Sequence, residues 1–338
     1  MFAQLTDELL GRVVFSSGYL SHYWKDVFQV LLVSKRFLTL GRAHLRSVCV
    51  KSCLITPAWL CQTLPSFASN LTSLSLDFTL RAAEQFPSGS AELSRLCTTL
   101  APSLTRLGLR GTAAGDDALV SLAPLLHRLR ALDLSKSSRS FAPLITDAGL
   151  RALLPQPQPQ QAAASRLVWL NLSMTQVTDA GVLALVPRAP HLRHLGLQCC
   201  QLLTDDCFRG LETLSLVSLD VSSCGLLTNG AFFTLGAKTS ACRASLQNLY
   251  ASYLPLVTGD LLALLLVCFE KLSVLDFKTT GGCAVDESRL PPIERRQQAK
   301  DKLLAAIFQH SDVPSPSLAS PHPLLLDSIY SYYDDNDN

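Results

Sequence analysis

The chain alternates between two hydrophobic periods along most of its length. In "LVWLNLSMTQVTDAGVLAL" (Leu167–Leu185) the first half alternates apolar and polar positions. Leu170 and Leu172 share one face of an extended segment, and Trp169, Asn171 and Ser173 share the other. After "VTDAG" the apolar residues Val182, Leu183, Leu185 and Val186 follow helical spacing, with Thr178 or Asp179 placed to cap the helix. One unit therefore predicts a short strand, a turn and a helix.

The strand spacing L-x-x-L-x-L starts at Leu45, Leu71, Leu104, Leu129, Leu167, Leu192, Leu216, Leu246 and Leu272, at intervals of 26, 33, 25, 38, 25, 24, 30 and 26 residues. Helix-start echoes stand at matching places: "LITDAG" (Leu144–Gly149), "VTDAG" (Val177–Gly181), "LLTDD" (Leu202–Asp206), "LLTNG" (Leu226–Gly230) and "LVTGD" (Leu256–Asp260). A single unit cannot cover both its strand leucines and its helix face, whereas stacked units cover each other. The expected fold is α/β: a solenoid with a parallel sheet on its concave face and helices on its convex face. The array spans residues 45–290 in about nine repeats, interrupted by the low-complexity insertion "PQPQPQQAAAS" (Pro155–Ser165), read as a solvated loop.

Eight residues after the repeat start, Cys53, Cys200 and Cys224 occupy three units, and mostly small residues such as Thr112, Thr175 and Ser137 occupy the others. "LRHLGLQCCQLLTDD" and "LVSLDVSSCGLLTNG" resemble the cysteine-containing subclass of leucine-rich repeats, with its pattern L-x-x-L-x-L-x-x-C-x-x-I/L-T-D. Cysteine there behaves as a small hydrophobe with a weak donor. Cys49 and Cys53, or Cys199 and Cys200, lack a second ligand pair at finger-like spacing, so no metal site is expected.

Residues 1–44 predict amphipathic helices: Leu9, Leu10, Val13 and Val14 form one apolar stripe, and Ser34 is placed to cap a later helix carrying Phe37. Such a segment would cap the first repeat. It also resembles an F-box, through Leu5, Glu8, Leu9, Leu10 and Phe15 in its first half and "LLVSKRF" (Leu31–Phe37) in its second. Thr6 stands where the family has proline, and "SSGYLSHYWK" is longer than the usual loop. The resemblance implies a substrate-recognition subunit of a cullin-RING ubiquitin ligase. Leu5, Leu9, Leu10, Val14, Phe15, Leu31, Val33, Ser34 and Phe37 would contact the Skp adaptor, which links to the cullin, while the repeats hold a protein substrate. A non-catalytic scaffold or structural subunit of a larger complex is the alternative that the two departures keep open.

Composition narrows the remaining classes. Lys+Arg 29 against Asp+Glu 27 gives no electrostatic case for nucleic acid or a membrane surface. The most apolar window, "LLALLLVCF" (Leu261–Phe269), is far shorter than the ~20 residues of a membrane span. Eleven scattered cysteines without a secretory pattern fit reduced thiols in the cytoplasm or nucleus. No nucleophile elbow, phosphate loop or metal-binding histidine pair occurs, so neither enzyme activity nor a cofactor is expected.

If the array is a solenoid, strand positions between the leucines face the concave surface. The candidate substrate-binding residues there are Arg106, Asp133, Trp169, Asn171, His194, Asp220, Tyr250 and Asp276, with Arg110, Gln198 and Lys278 flanking them. Trp169 and Tyr250 are natural anchors, and the aspartates suit a basic partner segment. After the array, residues 291–310 read as a capping helix with an apolar stripe at Leu303, Leu304, Ile307 and Phe308, and residues 311–338 as a flexible tail.

Overall fold

A computed structural model describes residues 39, 45–50, 70–76, 103–112, 114–136, 145–154, 165–258, 261, 265, 268–278 and 284–285. All the proposed adaptor contacts (Leu5, Leu9, Leu10, Val14, Phe15, Leu31, Val33, Ser34 and Phe37), residues 155–164, the 291–310 helix and the 311–338 tail lie outside the described residues.

Among the described residues, ten strands form one sheet in chain order: β1 (Ser47–Val50), β2 (Ser73–Leu76), β3 (Arg106–Gly108), β4 (Ala131–Asp133), β5 (Trp169–Asn171), β6 (His194–Gly196), β7 (Ser218–Asp220), β8 (Asn248–Tyr250), β9 (Val274–Lys278) and β10 (Ala284–Val285). β1 to β9 pair in parallel, each with the next. β10 runs antiparallel on β9, a departure from the all-parallel expectation, and it pairs backbone groups that would otherwise be a bare sheet edge.

The register follows from the leucines. Val48, Leu74, Leu107, Leu132, Leu170, Leu195, Leu219, Leu249 and Leu275 stand side by side across the sheet, all buried. A one-residue slip would turn this whole column to the opposite face, so burial on one side locks the pairing. Repeat-start leucines from Leu45 to Leu272 are buried in the same core.

Among the described residues, six α-helices pack behind the strands: α1 (Asp116–Leu122), α2 (Asp147–Leu153), α3 (Asp179–Leu185), α4 (Phe208–Leu211), α5 (Asn229–Gly236) and α6 (Ala241–Ser245). Each of α1 to α5 buries a narrow stripe, such as Leu119 and Leu122 in α1 or Phe232 and Leu235 in α5. In α3 the stripe is Val182 and Leu185, whereas Leu183 is 41% exposed and leaves the expected apolar set. It lies about 100° around the helix from Val182, off the core-facing stripe. The short helix α6 takes up the extra length of the 30-residue interval. Its Cys242 thiol donates to the carbonyls of Leu211 (3.2 Å) and Leu214 (3.0 Å) in the preceding unit.

The helix starts resolve which residue of each Thr-Asp pair is the cap. Thr146, Thr178, Thr204 and Thr228 accept from the backbone N–H two residues on, each satisfying an otherwise orphaned donor. The acidic residue reaches forward instead, to the threonine of the next unit. Asp116 accepts from both the N–H and the hydroxyl of Thr146 (2.8 and 2.6 Å), Asp147 from Thr178 (2.9 and 2.6 Å) and Asp179 from Thr204 (2.9 and 2.6 Å). Asp205 bonds Thr228 in the same two ways. Asn229 continues the chain to Thr258, with its amide nitrogen now donating to the hydroxyl. The carboxylates thus sit against the N-termini of the following helices, where the helix dipole favours negative charge.

Candidate interaction face

Two columns of side chains cover the concave side of the sheet. One reads Ser75, Gly108, Asp133, Asn171, Gly196, Asp220, Tyr250 and Asp276 in neighbouring register from β2 to β9. A second column aligns Arg106, Ala131, Trp169, His194, Ser218 and Asn248. All eight candidate residues of this face therefore share one surface, as the alternation requires. Arg106 and Trp169 are exposed, and the other six are half-buried.

Several polar members hold the backbone before they meet anything else. One carboxylate oxygen of Asp133 accepts from the N–H (3.0 Å) and hydroxyl (2.7 Å) of Ser135, and the Asn171 carbonyl does the same for Ser173 (3.0 and 2.6 Å). Asp220 accepts from the Ser222 N–H (3.0 Å), and Asp276 from the Ser252 hydroxyl (2.8 Å). The bonds of Asp133, Asn171 and Asp220 turn the chain out of the strand, the local role short Asp and Asn side chains fill well, whereas that of Asp276 ties β9 to the preceding unit. The Asp-x-Ser and Asn-x-Ser spacings were the sequence signal for this role.

Between β3 and β8 the face sinks into an open groove of about 280 Å³. Its floor lacks a side chain at Gly196, where a Cβ would stand 2.5 Å from the Asn171 carbonyl oxygen. Arg110 and Lys136 line one end, Trp169, Met174 and His194 the middle, and Asp220 and Tyr250 the other end. Lys136 was missed by the sequence reading. It is 6% exposed and donates to the carbonyls of Thr112 (3.0 Å) and Ala114. Burial lowers its amine to about 8, with the Asp116 charge pulling the other way. Burial also lowers the His194 pKa, which favours the neutral imidazole, and raises that of the Asp220 carboxyl.

Just past the strands, Gly111, Met174, Cys199, Ser223 and Tyr253 hold positive φ at equivalent positions, so the same bend recurs in these five units despite side chains that, glycine apart, ordinarily avoid it. The next residue points inward. Thr112 and Thr175 bond the carbonyl three residues back in their own unit, whereas Cys200 and Cys224 donate to Leu172 (3.2 Å) and Leu197 (3.1 Å) of the preceding one. Burial pushes the Cys200 thiol up to about 11 and Cys224 well above the usual range, so these are packing groups held protonated. Among the described residues, no cluster of three or more His, Cys, Asp or Glu side chains is placed to hold a metal ion, and no helix is long and apolar enough to cross a membrane.

The sequence matches no protein-family model and no curated protein sequence. Among solved structures, the chain is similar to a yeast Rad7–Elc1 complex, with a TM-score of 0.51 and 16% identity over 78% of this chain and 70% of that one. The fold is a leucine-rich-repeat solenoid. A leucine-rich-repeat-containing protein, LegL7 from Legionella pneumophila, matches at TM-score 0.41 and 16% identity over 82% of this chain and 96% of its own. A TLR13–ssRNA13 complex matches at TM-score 0.41 and 17% identity, over 72% of this chain and 34% of that one. In a solenoid of this kind the sheet side is the broad, regular and exposed surface, and here that surface carries the groove.

Proposed function

We propose that this chain is a non-catalytic substrate-recognition subunit of a cullin-RING ubiquitin ligase, acting in the cytoplasm or nucleus. The concave face holds a protein substrate. The N-terminal segment, through Leu5, Leu9, Leu10, Val14, Phe15, Leu31, Val33, Ser34 and Phe37, docks on the Skp adaptor and through it on the cullin.

The observation that carries the recognition half is the groove itself, where Trp169 is 37% exposed on a sheet face built by stacked units. Large aromatic rings left exposed in a concave, mixed-polarity setting are what protein interfaces use as anchors. The adaptor half rests on the F-box resemblance of residues 5–37. The Rad7 chain of the yeast neighbour exists in a complex with Elc1, which supports placing this array, too, within an assembly.

Titration of the full chain with purified Skp adaptor tests the assignment. The expected result is a one-to-one complex that Leu9→Asp and Phe37→Asp each weaken by at least about tenfold, as loss of an interface anchor does, with the circular dichroism unchanged. Absence of a complex, or a complex indifferent to both substitutions, overturns the adaptor role.

A further inference from the structure

The groove is not electrically uniform along its length. Arg110 is exposed at the β3 end, with the Lys136 amine held beside it on carbonyls. The middle is Trp169, Met174 and His194. At the β7–β8 end stand Asp220 and, on the adjacent strand in the same column, Tyr250. Beyond Tyr250, in register on β9, comes Asp276, whose negative charge adds to the upward push on the Asp220 carboxyl. Among the described residues neither carboxylate is paired with a lysine or arginine.

We propose that the groove reads an extended partner segment that carries an acidic residue, then an aromatic or aliphatic one, then a basic one, in contact with Arg110, Trp169 and Asp220 in turn. This rests on the concave face being the substrate surface. Neighbouring strands lie ~4.8 Å apart, so Arg110 and Asp220, four strands apart, are ~20 Å from one another, and Trp169, on the strand midway between theirs and in the column of Arg106, lines the same groove. An extended chain covers that in about six residues, at ~3.3 Å each. Acid and base therefore fall roughly three positions to either side of the apolar residue. A basic side chain at Asp220 also meets the face of Tyr250, which attracts cations. Neutral His194 leaves the middle for an apolar group.

Three labelled nonapeptides with a central phenylalanine test this on the full chain by fluorescence anisotropy. One carries glutamate and arginine three positions to either side, one carries two glutamates and one two arginines. The mixed peptide is expected to bind at least about tenfold more tightly than either other. Asp220→Asn is expected to remove its advantage over the two-glutamate peptide, and Arg110→Glu its advantage over the two-arginine peptide. Asparagine is tolerated at this place in the unit, since Asn171 makes the equivalent turn. Equal binding of all three, binding of none, or preferences that both substitutions leave intact overturn the inference. The recognition role is judged separately, by recruitment of a folded substrate and its loss in Trp169→Ala.

Discussion

The carboxylate of Asp147 accepts both the backbone N–H and the hydroxyl of Thr178, 31 residues further along, at 2.9 and 2.6 Å. Thr178 meanwhile caps its own helix through the N–H of Ala180. The pair thus joins one unit's helix start to the next. Asp147→Ala is expected to cost about 1–3 kcal/mol, since it strands a half-buried donor as well as losing charge-assisted bonds. Thr178→Ala removes the cap and is expected to cost about 1–2 kcal/mol. Urea unfolding of the two variants and the double variant should return a coupling of about 1 kcal/mol or more, whereas additive losses would show the contact to be idle.

The same carboxylate explains the glycine of "TDAG". A Cβ on Gly181 would lie 2.2 Å from an Asp147 oxygen, and one on Gly149 would lie 2.2 Å from an Asp116 oxygen. Gly181→Ala is therefore expected to destabilise by about 1–3 kcal/mol, although alanine favours helices by ~1 kcal/mol over glycine. In an Asp147→Ala background the loss should shrink without changing sign, because the Cβ would still stand 2.9 Å from Cγ1 of the buried Val177. Thermal melts of the four proteins check this.

Buried thiols set a pH dependence. Cys200 is pushed up to about 11, and Cys224 and Cys242 are also raised by burial, so the folded state keeps protons that the unfolded state releases from about pH 9. The stabilisation is present below that value and is lost as pH climbs through about 11, by at most ~1.4 kcal/mol per thiol per pH unit. Lys136, lowered to about 8, acts in the opposite direction between about pH 8 and 10. Urea midpoints from pH 8 to 10.5 should fall less steeply in Cys200→Ala/Cys224→Ala than in the native chain, and more steeply in Lys136→Met. Parallel slopes in all three proteins would contradict this.

Trp169 separates binding from stability. At 37% exposure on the open sheet face, its replacement by alanine is expected to shift stability by no more than about 1 kcal/mol, yet to weaken substrate binding by at least about tenfold. Calorimetry and a binding titration on the same preparation read both.

The strand leucines made most of this architecture legible beforehand. Alternation forces Leu170 inward and Asn171 outward, and repetition of that pattern carries the register from β1 to β9. Trp169, His194, Asp220 and Tyr250 were placed on one face by the same alternation. What escaped was side-chain reach between units. "TD" read locally is a cap, and nothing within five residues reveals that Asp147 serves a threonine 31 positions away. The groove also had no linear signature, because it depends on Gly196 lacking a side chain beside Asn171 and on Lys136 folding onto the carbonyls of the neighbouring unit. Leu183 misled for the simpler reason that apolar spacing alone does not say which of two adjacent apolar residues, Val182 or Leu183, faces the core.

The central claim is that one end of the chain holds an adaptor while the concave face holds a substrate. Co-purification of the full chain from cells, with Skp adaptor and substrate quantified together, tests it most directly by comparing Leu9→Asp with Trp169→Ala. The account predicts that Leu9→Asp loses the adaptor and keeps the substrate, and that Trp169→Ala does the reverse. Loss of both in either variant, with the fold intact, or loss of neither would contradict it.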